Sequence, residues 1–211
     1  GGDLYGEGDD SQGLKLVAEA GTTVGEGTTT LGGSAVAKGD RASALSLSLT
    51  AGESVSQQTT TIGANLRAEG TASQGLKLSA EAGTTVGAVT TTLQGNGVAT
   101  GSAASALALD LDAGASIADV VTVIGGGLQA EGDDSQGLKL AATAGTDIGA
   151  VTTAVTGGAT GTGERASAMD LLLEAAASVA DIVTEIGGDL YGEGDDSQGL
   201  KLVAEAGTTV G

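Results

Sequence analysis

The 211-residue chain contains no cysteine, histidine, proline, phenylalanine or tryptophan, and it has only two tyrosines. Without cysteine and histidine there are no disulfide bonds, thiolate nucleophiles, imidazole bases or zinc-finger ligand sets. Carboxylates, amines, phenols and hydroxyls are the only groups left for chemistry. We therefore expect that the chain is not an enzyme and that it holds no cofactor.

Positive charge is also scarce, with 8 Lys and Arg against 27 Asp and Glu and a net charge of −19. This charge opposes binding to nucleic acid or to anionic membranes, so neither is expected as a partner, and basic partners or divalent cations are more compatible with it. No apolar run approaches the ~20 residues that span a bilayer, and no signal peptide is recognisable. Since the chain does not begin with methionine, we interpret it as an excised segment or a mature form.

Glycine, with 39 residues, and internal repetition dominate what is present. Residues 1–25 recur unchanged at 187–211, and the string SQGLKL begins at Ser11, Ser73, Ser135 and Ser197, which defines a 62-residue period. A weaker 31-residue period divides each interval. The prediction is a single repeat array over residues 1–211, because fixed periods of this length are typical of solenoids. Its units are 9–39, 40–70, 71–101, 102–132, 133–163 and 164–194, with partial units 1–8 and 195–211.

Each unit begins with alternating apolar residues, as in Leu14, Leu16 and Ala18, which predict a strand with one buried face. The second inward position is leucine in every copy: Leu16, Leu47, Leu78, Leu109, Leu140, Leu171 and Leu202. A glycine such as Gly21 follows, where a positive φ or a close backbone approach is expected. A Thr-rich segment, a glycine corner and a short third segment complete the unit. Three short strands and three corners predict one coil of a parallel β-solenoid.

Residue size alternates between neighbouring units, which indicates that the units stack on one another. The third inward position reads Ala18, Leu49, Ala80 and Leu111 along the chain. A large side chain beside a small one fills a core that neighbouring units share, whereas independent domains would not need this alternation in size. The predicted fold class is therefore all-β: a fibre-forming parallel β-solenoid of 31-residue units with a 62-residue superperiod. A 31-residue coil and a 62-residue coil both agree with the pattern.

Two segments, 113–124 and 175–186, also have helical spacing. Their counterparts in other units are poor helix formers, so strands are the preferred interpretation. Residue pairs at one corner, Asp10 with Arg41 and Arg165 with Asp134 and Asp196, are expected to be neighbours on adjacent coils.

Four groups of residues are candidates for function. The acidic corners are interpreted as solvated, turn-forming residues, and calcium binding is the alternative, because hard cations need several carboxylate oxygens: Glu7, Asp9, Asp10, Asp133, Asp134, Asp195 and Asp196. The Thr triplets are interpreted as β-forming residues that make an in-register hydroxyl ladder. An ice-binding face is the alternative, although Val121–Val123 and Thr152–Ala154 interrupt the triplets. The outward lysines are interpreted as a solvated strand face, with pairing to acids such as Glu19 as the alternative: Lys15, Lys77, Lys139 and Lys201. Tyr5 and Tyr191 suggest a lateral contact.

The pattern A-L-x-L-x-A-G-x-x-V, as in ALSLSLTAGESV, resembles the repetitive shafts of filamentous haemagglutinin-like adhesins and other β-solenoid surface proteins. The Gly/Ala/Ser/Thr-rich composition is similar to that of cross-β silks. These resemblances imply an extracellular or cell-surface fibrous protein. The expected function is a structural segment of a filament, sheath or adhesin stalk that self-associates by stacking β-rungs. The alternative is a surface-binding module for ice, a glycan or calcium.

Overall fold

In the computed structural model, which describes residues 2–211, the chain winds through seven coils of short parallel strands. A full coil passes through four sheets, which we call the short, long, corner and threonine sheets. The short sheet contains β1 (Leu4–Glu7), β5 (Ala35–Lys38), β9 (Leu66–Glu69), β13 (Gly97–Thr100), β17 (Leu128–Glu131), β21 (Ala159–Thr162) and β25 (Leu190–Glu193). The long sheet contains β2 (Gln12–Ala20), β6 (Ser43–Ala51), β10 (Gln74–Ala82), β14 (Ser105–Ala113), β18 (Gln136–Ala144), β22 (Ser167–Ala175) and β26 (Gln198–Ala206).

The remaining two sheets close each coil. The corner sheet contains β3 (Thr23–Val24), β7 (Ser54–Val55), β11 (Thr85–Val86), β15 (Ser116–Ile117), β19 (Asp147–Ile148), β23 (Ser178–Val179) and β27 (Thr209–Val210). The threonine sheet contains β4 (Gly27–Leu31), β8 (Gln58–Ile62), β12 (Val89–Leu93), β16 (Val120–Ile124), β20 (Val151–Val155) and β24 (Ile182–Ile186). The two segments with helical spacing, 113–124 and 175–186, therefore form strands, as predicted.

Every strand pair is parallel and keeps the 31-residue register of the sequence repeat. In the long sheet, for example, Leu78 pairs with Leu47 on one side and Leu109 on the other. The predicted parallel β-solenoid is confirmed, and each sequence unit forms one 31-residue coil. The alternative of a 62-residue coil is wrong.

The structure has four strands in a coil, where the sequence predicted three. The additional element is the two-residue corner strand, which a bend at the Gly21 type of position separates from the long strand. These glycines do not have positive φ; a Cβ at Gly52 or Gly83 would instead overlap the carbonyl oxygen of the equivalent glycine one coil earlier. Close backbone approach between stacked coils is thus the reason for glycine here.

The core is a continuous aliphatic column inside the solenoid. The predicted leucines of the middle coils form its centre, and Leu78 and Leu171 have no exposed surface. Each such side chain contributes about 1.5–3 kcal/mol through burial. Leu16 and Leu202, in the first and last coils, are 40% and 42% exposed because only one neighbouring coil covers them. The leucine column therefore stabilises each coil through its neighbours, as in other repeat arrays.

The 62-residue superperiod arises from packing between the short and long sheets. Where the short strand begins with leucine, the long strand carries a facing glycine: a Cβ at Gly75 would lie 3.3 Å from Leu66 Cβ, and one at Gly137 would lie 3.0 Å from Leu128 Cβ. In the coil between them Gly97 faces Ala106. Coils of the Leu–Gly type therefore alternate with coils that have small residues on both sides, and both types fill the same space.

Candidate functional site

The acidic corner lies in the turn between the short and long strands. Arg41 donates a hydrogen bond of 2.8 Å to Asp10, and Arg165 donates one of 2.8 Å to Asp134. These two pairs join adjacent coils as predicted, whereas Arg165 does not bond to Asp196. The pairs are exposed, so each contributes only about 0–1 kcal/mol.

The corner acids do not assemble into a metal site in the described part of the chain. No group of three or more acidic side chains within residues 2–211 is arranged to hold a metal ion. Two of the calcium candidates, Asp10 and Asp134, are already occupied by arginines. The geometry therefore offers no shared coordination site to Glu7, Asp9, Asp10, Asp133, Asp134, Asp195 and Asp196.

The outer face of the threonine sheet carries two parallel rows of threonines over the first three coils. Thr28 aligns with Thr59 and Thr90, and Thr30 aligns with Thr61 and Thr92. Neighbouring coils are ~4.8 Å apart and the two rows ~6.6 Å apart, so the hydroxyls form a regular lattice. In later coils Val121, Val123, Ala154, Val183 and Glu185 take these places and end the lattice.

The inner face of the same sheet carries a third row of threonines, which sequence reasoning missed. Thr60, Thr91, Thr122 and Thr153 are buried in the core. The Oγ1 atoms of Thr91, Thr122 and Thr153 have no hydrogen-bond partner. The signal in the sequence was the middle residue of each triplet, which is threonine in all six coils even where the flanking residues change. Nothing in the hydrogen bonds of the fold explains why threonine recurs here.

We expect Thr122→Val to raise the free energy of unfolding by about 1 kcal/mol, because it replaces a buried, unpaired hydroxyl with a methyl group of similar size. Urea denaturation would measure the change. Thr90→Val is the control: it copies the outward Val121 of the next coil and should leave stability within about 0.5 kcal/mol. A loss of stability in Thr122→Val would contradict the description of the inner hydroxyls as unpaired.

The lysines lie on the outer face of the long sheet, in every second coil. Lys77 and Lys139 are exposed between inward leucines, as the alternation predicted. Lys201 bonds to Asp170, one coil away, at 3.3 Å. This partner lies on the adjacent strand at the same register position, whereas the expected partner was an acid of the Glu19 type.

Tyr5 and Tyr191 occupy the outer face of the short sheet in the first and last coils. They are 55% and 53% exposed. Their side chains are thus available for the predicted lateral contact, which stays a prediction.

Comparison of the chain with protein-family models, curated proteins and solved structures finds no match. Among the described residues there is no helix of the length and apolarity needed to cross a membrane.

Proposed function

We propose that this chain is a structural, non-catalytic segment of a repetitive extracellular filament, sheath or adhesin stalk that assembles by stacking of β-rungs. The observation that carries the proposal is the 31-residue register, which continues without interruption through all seven coils. A structure that adds one coil of ~4.8 Å with each repeat extends without limit as repeats are added. The resemblance to adhesin shafts and cross-β silks supports the same role and the extracellular location.

When residues 1–211 are studied as a separate chain, their first and last coils offer a surface for self-association. Within residues 2–211, β2 and β26 each pair on one side only, and they expose Leu14, Leu16 and Leu202. Unpaired parallel strands with apolar side chains are templates for another copy of the same strands. The proposed partner is therefore a second copy, stacked end to end along the solenoid axis.

Electron microscopy of the purified chain tests this proposal. Two extended chains distinguish specific stacking from unspecific association. Both end coils are of the Leu–Gly type, with Leu4 and Gly13 in the first and Leu190 and Gly199 in the last. Direct stacking therefore places like coils together and interrupts the size alternation. Because residues 187–211 repeat residues 1–25, appending residues 26–56 adds one coil of the opposite type and makes the ends complementary. Appending residues 26–87 adds two coils and restores like ends.

We expect the chain extended by one coil to form filaments at a lower protein concentration than the original chain or the chain extended by two coils. Fibre diffraction from these filaments should show the ~4.8 Å spacing along the axis. Equal behaviour of all three chains would indicate unspecific association, and an absence of filaments from all three would refute the proposal.

A binding role for the outer threonine lattice is the second candidate, because its rows are in register over three coils. Thermal hysteresis of the unassembled chain, lost in Thr59→Glu, would favour recognition of ice over the filament role. The substitution is structurally mild, since Glu185 already occupies an outward position in this sheet.

A further inference from the structure

The outer face of the long sheet contains a notch of about 380 Å³ across the first three coils. Lys15 and Lys77 form its walls, and Ser46 lies between them at the same register position. Two coils separate the lysine backbones, a distance of ~9.6 Å. Arg41, Ser43 and Ser48 also line it, and they add a guanidinium and two hydroxyls as hydrogen-bonding groups.

The charge of this notch is opposite to that of the whole chain. Three of the 8 basic residues line it, and none of the described residues in its lining is acidic, although the chain has 27 acids. Asp10 neutralises part of the charge of Arg41, whose guanidinium has five N–H donors and retains free ones. No ion pair of Lys15 or Lys77 occurs among the described residues, so both ammonium groups keep their charge available for a ligand.

The equivalent place four coils further along has the opposite character. There Asp170 stands at the position of Ser46, and Asp196 stands at the position of Ala72. Asp170 binds Lys201, and the space shrinks to about 220 Å³. The same backbone therefore carries both an open basic notch and one that is closed by its own carboxylates. Ser46 and Ala72 are the positions at which carboxylates replace small residues, and two further lining residues, Ser48 and Ser79, change to Leu172 and Val203.

We propose that the notch formed by Lys15, Arg41, Ser46 and Lys77 binds the oxyanion group of a small polar ligand. Two lysines, an arginine and several hydroxyls are the donors that sulfate, phosphate and carboxylate groups require. The described lining has no aromatic side chain for stacking and more polar than apolar surface, so a hydroxyl-rich ligand such as an anionic sugar fits it better than an aromatic one. The volume falls within the range of small-molecule sites.

Isothermal titration calorimetry of the full chain with inorganic sulfate, glucose 6-sulfate and glucuronate tests the proposal. The buffer should contain ~0.1 M NaCl, where a Debye length of ~10 Å screens the acids outside the notch. Saturable binding at one site is the expected result. Tighter binding of the two sugars than of sulfate would identify a carbohydrate source, and equal binding would identify the free oxyanion; both outcomes support the site. An absence of saturable binding for all three probes overturns it.

Variants that copy other coils of the same chain separate this site from unspecific attraction. Ser46→Asp and Ala72→Asp each introduce one carboxylate of the closed version, so each should weaken binding at least tenfold without loss of stability. Ser46→Ala copies Ala108 and should keep most of the affinity. Lys139→Asp copies Asp170 outside the notch and changes the net charge by two, yet it should leave binding unchanged. Binding that falls equally in Lys139→Asp and Ser46→Asp would overturn the proposal, as would binding that survives Ser46→Asp.

Discussion

Replacing Leu78 by aspartate is expected to lower the free energy of unfolding by at least about 4 kcal/mol. Leu78 has no exposed surface and lies between Leu47 and Leu109 in the leucine column. A carboxylate at this place has no basic partner inside the solenoid, so burial either leaves an unpaired charge or forces protonation. Because each coil is stabilised by its neighbours, the damage extends to both adjoining interfaces. Urea denaturation followed by circular dichroism measures the loss.

Two matched variants show whether the effect comes from burial at this position. Leu16→Asp makes the same chemical change in the same column, but Leu16 is 40% exposed in the first coil, so a much smaller loss is expected. Lys77→Ser changes the outward neighbour of Leu78 to the residue found one coil earlier, Ser46, and should be almost neutral. Equal stability of Leu78→Asp and Lys77→Ser would refute the inward and outward assignment of this strand.

The leucine column was predictable because strand alternation and a fixed repeat length act on the same residues. Leu47, Leu78 and Leu109 are alike in type and equally spaced, so any stacked arrangement brings them together. The coil length was not predictable from the size alternation. Ala80 beside Leu111 fills space equally well whether the two lie in successive coils or at one level, and only the strand register distinguishes these arrangements.

The notch and the inner threonine row were missed for a related reason. Lys15 and Lys77 lie two repeat units apart in the sequence, and only a 31-residue register places Ser46 between them. Once the coil length is fixed, the outward positions of successive coils predict both the basic notch and its counterpart, in which Asp170 pairs with Lys201. Thr91 and Thr122 are the middle residues of segments that were interpreted as one surface, whereas strand alternation turns only their neighbours outward.

The backbone conformation at the turns could be predicted only in part from the sequence. The glycine that closes every unit was recognisable as a required residue, and it has positive φ in every coil, from 102° to 135°. The residue two positions later also has positive φ, between 52° and 56°, although it is aspartate, arginine or alanine. Aspartate tolerates this region, but arginine and alanine do not favour it, so residue type gave no indication of the conformation.

This turn supplies the second large effect: Gly101→Ala is expected to lower the free energy of unfolding by about 3 kcal/mol or more. Gly101 has a φ of 128°, where an L-residue is strained. A Cβ there would lie 2.5 Å from the carbonyl oxygen of Gly70 and 2.9 Å from its carbonyl carbon, one coil earlier. The overlap is with backbone, so relief requires the two coils to separate locally. Thermal and urea denaturation measure the loss.

The opposite substitution in the same turn is expected to have the opposite sign. Ala103 has a φ of 53° and an exposed side chain, so Ala103→Gly removes left-handed strain without losing buried surface. Left-handed strain of about 1–2 kcal/mol outweighs the entropic cost of an added glycine, about 0.5–1 kcal/mol, so a small gain in stability should result. If both variants lost stability, strain at Ala103 would be excluded. If neither changed it, the turn would be too mobile to couple stacked coils, and the tight stacking that makes glycine necessary at Gly101 would be refuted with it.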